Sequence, residues 1–432
     1  MTETVRWRER VRTVGVAGVV GLGVWLGGVP PVTFAEEVFI QQEELPIGLP
    51  DFPREAWRRV PELKPEQEIK VGILKLHPSF RSAIEYNDNI RLSDKDDRDD
   101  VIFIERPAVI GEMKLGDHRL EAGYGTELLQ FAKEQEENTT NHLAHGLLEL
   151  NFKDFQLMAS EAMEDTTGRL FTETVARDHV FLNTVQILGR YDRPMWALES
   201  GWIHNTIDHK TPIFNEFDYG EDVLALLGGY KLFPKTLVLL ETDVGFVNYD
   251  RNTSKPDHTY WQLLTGVRGE LLPKVTSTVK VGFQSREFSE LNGESLDERN
   301  LLVADAEVVY SPRVSDVIRF QYLRTLRTST YATNNYYRQD KISVSYRKRF
   351  ARKWLMTPGW SWQSHGYPRL STEGGRTETR DDFFNQLGAE LRYEIQEWLS
   401  SGVAYNFVSR NSNLDTLDYE NNRITFDVTV AF

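Results

Sequence analysis

The chain has 432 residues, 65 acidic against 50 basic, 40% hydrophobic, with a formal charge of −15 and no cysteine. Without cysteine there is no disulfide staple, thiolate zinc site or cysteine-ligated iron–sulfur cluster. The acidity argues against a nucleic-acid partner, and past the N-terminus no apolar run reaches the roughly 18 residues of a membrane helix, so only half-apolar barrel strands could cross a bilayer.

Arg6, Arg8, Arg10 and Arg12 open the chain, and an uncharged run rich in Val, Gly and Leu follows from Val14 to Val29. Pro30 and Pro31 end it, and Val32-Thr33-Phe34-Ala35 puts small residues one and three positions before Glu36. This is the pattern of a secretory signal peptide over residues 1–35, cleaved after Ala35. Residues 36–70 carry Pro46, Pro50, Pro53, Pro61 and Pro65 and no alternation. Proline withholds a ladder donor, so this stretch is expected to be an extended periplasmic arm or linker.

From residue 71 to the C-terminus the texture is period 2. Ile424, Phe426, Val428, Val430 and Phe432 alternate with Thr425, Asp427, Thr429 and Ala431, and Val275, Val279, Val281 and Phe283 alternate with polar residues in the same way. One apolar face at this period is a half-buried strand. Short connections are expected at 115–117, 192–194, 233–235, 272–274, 311–313 and 352–354. Longer polar ones are expected at 88–99, 133–140, 165–177, 208–218, 251–257, 289–297, 329–334, 368–379 and 411–417. Nine hairpins give about eighteen strands. Short turns alternating with long loops on an even strand number, in an all-β chain, specify a transmembrane antiparallel up-and-down β-barrel over 71–432. Aromatic residues such as Trp196, Tyr249, Tyr260, Trp261, Tyr310, Trp360, Trp398 and Tyr419 are expected to form girdles at the strand ends, and Phe432 is the expected signal for the barrel-assembly machinery.

If the apolar set faces lipid, the alternate set lines a lumen. An acidic wall is then expected from Glu121, Glu127, Glu149, Glu199, Glu241 and Asp243. A basic wall is expected from Arg268, Lys280, Arg286, Arg319, Arg327, Lys341, Arg347 and Arg349. A field between such walls favours hydrated, charged or dipolar solutes. The long connections look too short to cross a barrel this wide, so the passage is expected to be broad unless the 36–70 arm narrows it.

Catalytic chemistry finds no support. His142 and His145 should face opposite sides of a strand, as should Ser364 and His365, so neither pair is a ligand set or dyad. Glu241 and Asp243 share a face about 7 Å apart, a spacing open to glycosidase chemistry but commoner as wall charge. His204, Asp208 and His209 offer at most a surface metal site. No catalytic residue, metal or cofactor is expected.

Leu76-His77-Pro78-Ser79-Phe80, followed by Glu85-Tyr86-Asn87-Asp88-Asn89-Ile90, resembles the opening strand of the putative β-barrel porin 2 family. Asp100-Val101-Ile102 through Pro107-Ala108-Val109 and Gly116-Asp117-His118-Arg119-Leu120 resemble its next strand and turn. Ser409-Arg410-Asn411-Ser412, Asp418-Tyr419-Glu420-Asn421-Asn422-Arg423-Ile424 and the final Ala431-Phe432 resemble its last hairpin. The resemblance implies an outer-membrane barrel of a Gram-negative-type bacterium, associated with exopolysaccharide production and export. The expectation is a pore assisting passage of polysaccharide or another hydrophilic solute, with outer-membrane lipid and periplasmic export proteins as partners. A general diffusion porin and a closed scaffold barrel are the rival expectations.

Overall fold

The computed structural model describes residues 69–432, apart from 169–172, 174–175, 251–254, 290–298, 331–333 and 374. The expected signal peptide and nearly all of the arm lie outside the described residues. Residues Ile69–Val71 belong to a strand rather than to the arm: they pair with Leu74–Leu76 across a turn at Gly72, whose φ is +66°.

Eighteen longer strands follow. They are β1 (Leu74–Asn87), β2 (Asp100–Leu115), β3 (His118–Phe131), β4 (Thr139–Asn151), β5 (Phe155–Gly168) and β6 (Asp178–Asp192). Next come β7 (Trp196–His209), β8 (Tyr219–Phe233), β9 (Thr236–Tyr249), β10 (His258–Leu272), β11 (Val275–Phe288) and β12 (Arg299–Arg313). The last are β13 (Asp316–Thr328), β14 (Tyr336–Phe350), β15 (Trp354–Glu373), β16 (Arg376–Gln396), β17 (Leu399–Ser412) and β18 (Tyr419–Ala431). Each is antiparallel to the next, and β18 returns to β1 from Arg423 opposite Asn87 to Ala431 opposite Ser79. The sheet is therefore closed. Even the 13-residue strands extend about 43 Å, enough to span a bilayer when tilted.

Closure is fixed by side chains as well as by the ladder. Asp427 of β18 accepts from Arg81 of β1 (3.3 Å) and from Arg392 of β16 (2.7 Å), and Arg392 also donates to Glu390 (2.8 Å). The terminal Phe432 donates its N–H to the Pro78 carbonyl (3.0 Å) and stacks on Trp398.

Alternation sorts the two faces. Leu240, Phe283 and Phe426 are 57%, 60% and 54% exposed, whereas Glu241, Gln284 and Asp427 beside them are 3% exposed or less. Contacts that skip a strand, such as Lys280 of β11 to Glu241 of β9, form only on the concave side, so the polar set is inside. The concave face is not wholly polar. Met158, Leu188, Ala197, Ala225, Leu227, Leu237 and Leu239 form an apolar cluster on β5–β9, toward their short turns. Tyr249, Tyr260 and Tyr419 also turn inward or lie buried rather than joining a girdle, whereas Trp196, Trp261, Tyr310, Trp360 and Trp398 are exposed as expected.

The connections depart from expectation in particular places. Phe152-Lys153-Asp154 and Glu397-Trp398 are short turns without a strong Gly or Pro signal, and the turn expected at Pro312 falls on Val314-Ser315. The polar loop expected at 368–379 is instead the far end of the β15–β16 hairpin, the longest in the barrel, turning at Gly375 (φ +82°). Its cross-strand pairs are polar, Ser371 with Glu378 and Thr372 with Thr377, so composition masked the strand.

Candidate permeation site

The concave charges are built by alternation on rigid strands, and the structure puts all of the expected wall residues on that side. They do not stand as two unpaired walls. Among those residues the acids end at β9 and the bases begin at β10, so acid and base meet across that seam. Glu199 of β7 accepts from Arg268 of β10 (3.0 Å), and Glu241 of β9 pairs with Lys280 of β11 at 2.8 Å with both side chains fully buried. Asp243 accepts from Gln262. Away from the seam, Glu127 takes Arg106 (2.6 Å) and Asn141 (2.7 Å), Glu121 takes Arg119 and His145, and Glu149 lies 3.6 Å from Arg119. Of the bases, Arg286 bonds to the Leu326 carbonyl and Thr328, Arg327 to Gln339, and Arg349 to Glu394 (2.7 Å). Arg319 lies 3.9 Å from Glu307, while Lys341 and Arg347 share its face on β14.

At the end carrying the long connections, several of them reach inward. Glu173, between β5 and β6, accepts from the Ser329 hydroxyl (2.5 Å) and from the Thr330 N–H (2.7 Å) and hydroxyl (3.0 Å). Ser329 and Thr330 follow β13, eight positions further round the ring of eighteen strands. Arg380 of β16 donates to the Glu173 carbonyl (3.0 Å). Lys255, between β9 and β10, donates to the Asn334 carbonyl (2.5 Å) and sits over the Phe217 ring. Asn334 in turn bonds to Ser371. The connections were expected to be too short to cross the barrel one at a time; what the sequence did not show is that two of them meet inside it, through Glu173 and the Ser329–Thr330 corner. Among the described residues none crosses alone, and the β5–β6 and β13–β14 connections each go part of the way.

Arg380 is placed by a proline. Pro368 has no N–H, and the β15–β16 ladder breaks between Gly366 opposite Asp381 and Leu370 opposite Thr379. Tyr367, Pro368 and Arg369 thus bulge against Arg380 alone, whose guanidinium lies 4.5 Å from the Tyr367 ring centroid. Asp382 accepts from both Arg380 (2.8 Å) and Arg410 (2.9 Å), all three fully buried. Sequence reasoning passed over Glu173, Lys255 and Arg380, and met Arg410 only as part of the last-hairpin motif. The i, i+2 run Arg380, Asp382, Phe384 is the one signal that could have found part of the group. His142 and His145 face opposite sides, bonding Tyr124 and Glu121 respectively, as do Ser364 and His365; His204 pairs with Asp222, and His209 with Asp178 inside.

A family model described as putative beta-barrel porin 2 matches residues 214–432, just over half of the sequence. The chain belongs to that family. The matched span includes the last-hairpin motifs, and the opening-strand motifs lie before it. The porin 2 family chain is thus an outer-membrane porin-like barrel. No curated protein matches it by sequence. Among solved structures it is similar to the outer membrane protein opdK from Pseudomonas aeruginosa at 9% identity, covering 83% of this chain and 99% of that one, with a TM-score of 0.46. It is similar to Acinetobacter baumannii OccAB3 at 12% identity over 84% and 100% of the two chains, with a TM-score of 0.46. The siderophore receptor PirA from Pseudomonas aeruginosa is 8% identical over 83% and 80%, with a TM-score of 0.43.

In this porin-like barrel the buried Glu241–Lys280 pair is a stability test. Removing one partner of a buried pair costs about 3–5 kcal/mol, because a charge is left in low dielectric. Lys280→Met is therefore expected to lower the urea midpoint of the folded, unheated gel species, and adding Glu241→Gln should recover most of the loss. An unchanged midpoint in the single variant would show that water screens the pair.

Burial lowers the Lys255 ammonium to about 8 from its ordinary 10.5, the Glu173 and Glu216 carboxylates opposing the shift. Between those values the unfolded chain binds more protons than the folded one, so this group makes stability rise with pH from about 8 to 10.5 and is flat below. The thermal midpoint of the wild type relative to Lys255→Met should climb over that window. A flat difference would contradict the burial of a charged amine.

Proposed function

We propose that the barrel is a polar passage that carries saccharide polymer, or another hydrophilic solute, across the outer membrane. The observation that carries this reading is the pairing of an apolar exposed face with a concave face crowded with carboxylates and guanidiniums. Such a surface solvates hydroxyl-rich solutes and excludes apolar ones. The chain is delivered by the 1–35 signal peptide, cleaved after Ala35, and Phe432 is read by the barrel-assembly machinery. The arm expected over 36–70 meets periplasmic export proteins. No catalytic step is assigned: the concave acids Glu241 and Asp243 are engaged by Lys280 and Gln262, which suits wall charge rather than general acid work.

A second reading, a closed barrel that organises envelope proteins, is favoured by the inward contacts of Glu173 and Lys255. Single-channel conductance of the refolded chain from Glu36 separates the two. A conduit gives a stable current that oligosaccharides reduce; a diffusion porin passes small sugars without block. Silence from protein that is folded by gel migration would overturn the passage.

A further inference from the structure

We propose that Ser329 and Thr330, with Arg380 beside them, form a binding site for the carboxylate of an acidic saccharide, and that Glu173 is its resident occupant. The inference rests on the passage reading and names the solute class within it.

The bonds around Glu173 are those of a carboxylate receptor. One oxygen takes the Ser329 hydroxyl, and the other takes the N–H and hydroxyl of Thr330, so a single backbone corner supplies three donors to two oxygens. Hydrogen bonds to a charged acceptor are about twice as strong as neutral ones. The corner is set without Glu173: the Ser329 N–H donates to the Asn335 carbonyl (3.1 Å) across the β13–β14 connection. The cation beside it is also held independently, since Arg380 bonds Asp382 through two of its nitrogens at 2.9 and 2.8 Å. The Lys255 ammonium lies within electrostatic range of the same carboxylate. Receptor and cation therefore come from the β13–β14 connection and β16; Ser329 and Thr330 hold the carboxylate of a distant connection, and Arg380 takes the main-chain carbonyl of the same Glu173.

A uronic acid presents the same two oxygens on a sugar ring, whereas a neutral sugar presents no charge. Glu173 is tethered, so it competes at an effective concentration in roughly the millimolar range. An incoming acid then binds only to the fraction of molecules whose receptor is vacant, and its apparent affinity falls by that fraction. Weak, displaceable binding of this kind lets a passage pick out acidic solute and still release it.

The test is calorimetry on the refolded chain from Glu36 in detergent, with D-glucuronate, glucose and acetate as probes. Three proteins are compared: wild type, Glu173→Ala, and Glu173→Ala combined with Ser329→Ala and Thr330→Val, each verified as folded by unheated gel migration. Removing the competitor is expected to tighten glucuronate by about ten-fold or more and leave glucose unchanged, and the triple variant should lose the gain. Equal glucuronate affinity in wild type and Glu173→Ala, or an equal gain for glucose, overturns the site. Acetate binding as tightly as glucuronate overturns its saccharide specificity. Conductance of the same proteins separates this from the parent reading: silent bilayers with intact glucuronate binding sink the passage and leave the site, whereas current without carboxylate-selective binding does the reverse.

Discussion

Bilayer hydrocarbon offers no water to a backbone N–H or carbonyl, so a sheet can cross it only if no edge is left unpaired. Everything else in this chain follows from that closure. Because β18 finds β1 with Arg423 opposite Asn87, the register round the ring is set, and with it the face each side chain takes. A slip of one residue would turn Phe426 inward and Asp427 toward lipid. The bonds from Arg81 and Arg392 to Asp427 act where such a slip would start. They tie first strand, last strand and β16 to one carboxylate whose loss of partners in a buried place would be costly.

Closure also brings together charges that are distant in sequence. The expected wall acids lie on β3–β9 and the expected wall bases on β10–β14, which would leave opposed fields if the strands stood apart. In the ring they adjoin at β9 and β10, and Glu199–Arg268 and Glu241–Lys280 form there. The field inside is consequently local and patterned rather than a single gradient across the lumen. At the opposite extreme of order, the apolar cluster around Leu227 and Leu239 gives the concave face near the short turns a different character from the charged region above it.

Much of this was legible in the sequence because strand alternation is a one-residue signal that needs no partner. Ile424, Phe426 and Val428 declare their face regardless of what packs on them. The wall residues were legible for the same reason, being the other half of the same pattern. The misses arise where alternation is silent or composition misleads. Thr377, Glu378 and Thr379 read as loop because a polar strand beyond the bilayer has no apolar face. Leu237, Val238, Leu239 and Leu240 are apolar on both sides, so nothing marked Leu237 and Leu239 as interior. Tyr249 and Tyr260 sit at strand ends like girdle residues, yet the Tyr260 hydroxyl donates inward to Glu221 (2.8 Å). The Glu173 contacts are the least legible of all, since they join connections 156 and 157 residues apart.

The central claim is that one face of every strand meets lipid and the other meets the lumen. The absence of native cysteine makes that directly measurable on β13. Single cysteines at 318 through 323, introduced one at a time into refolded protein in vesicles, are treated with a membrane-impermeant maleimide. Positions 319, 321 and 323 should label and 318, 320 and 322 should not. Uniform labelling, or the inverse alternation, would contradict the account.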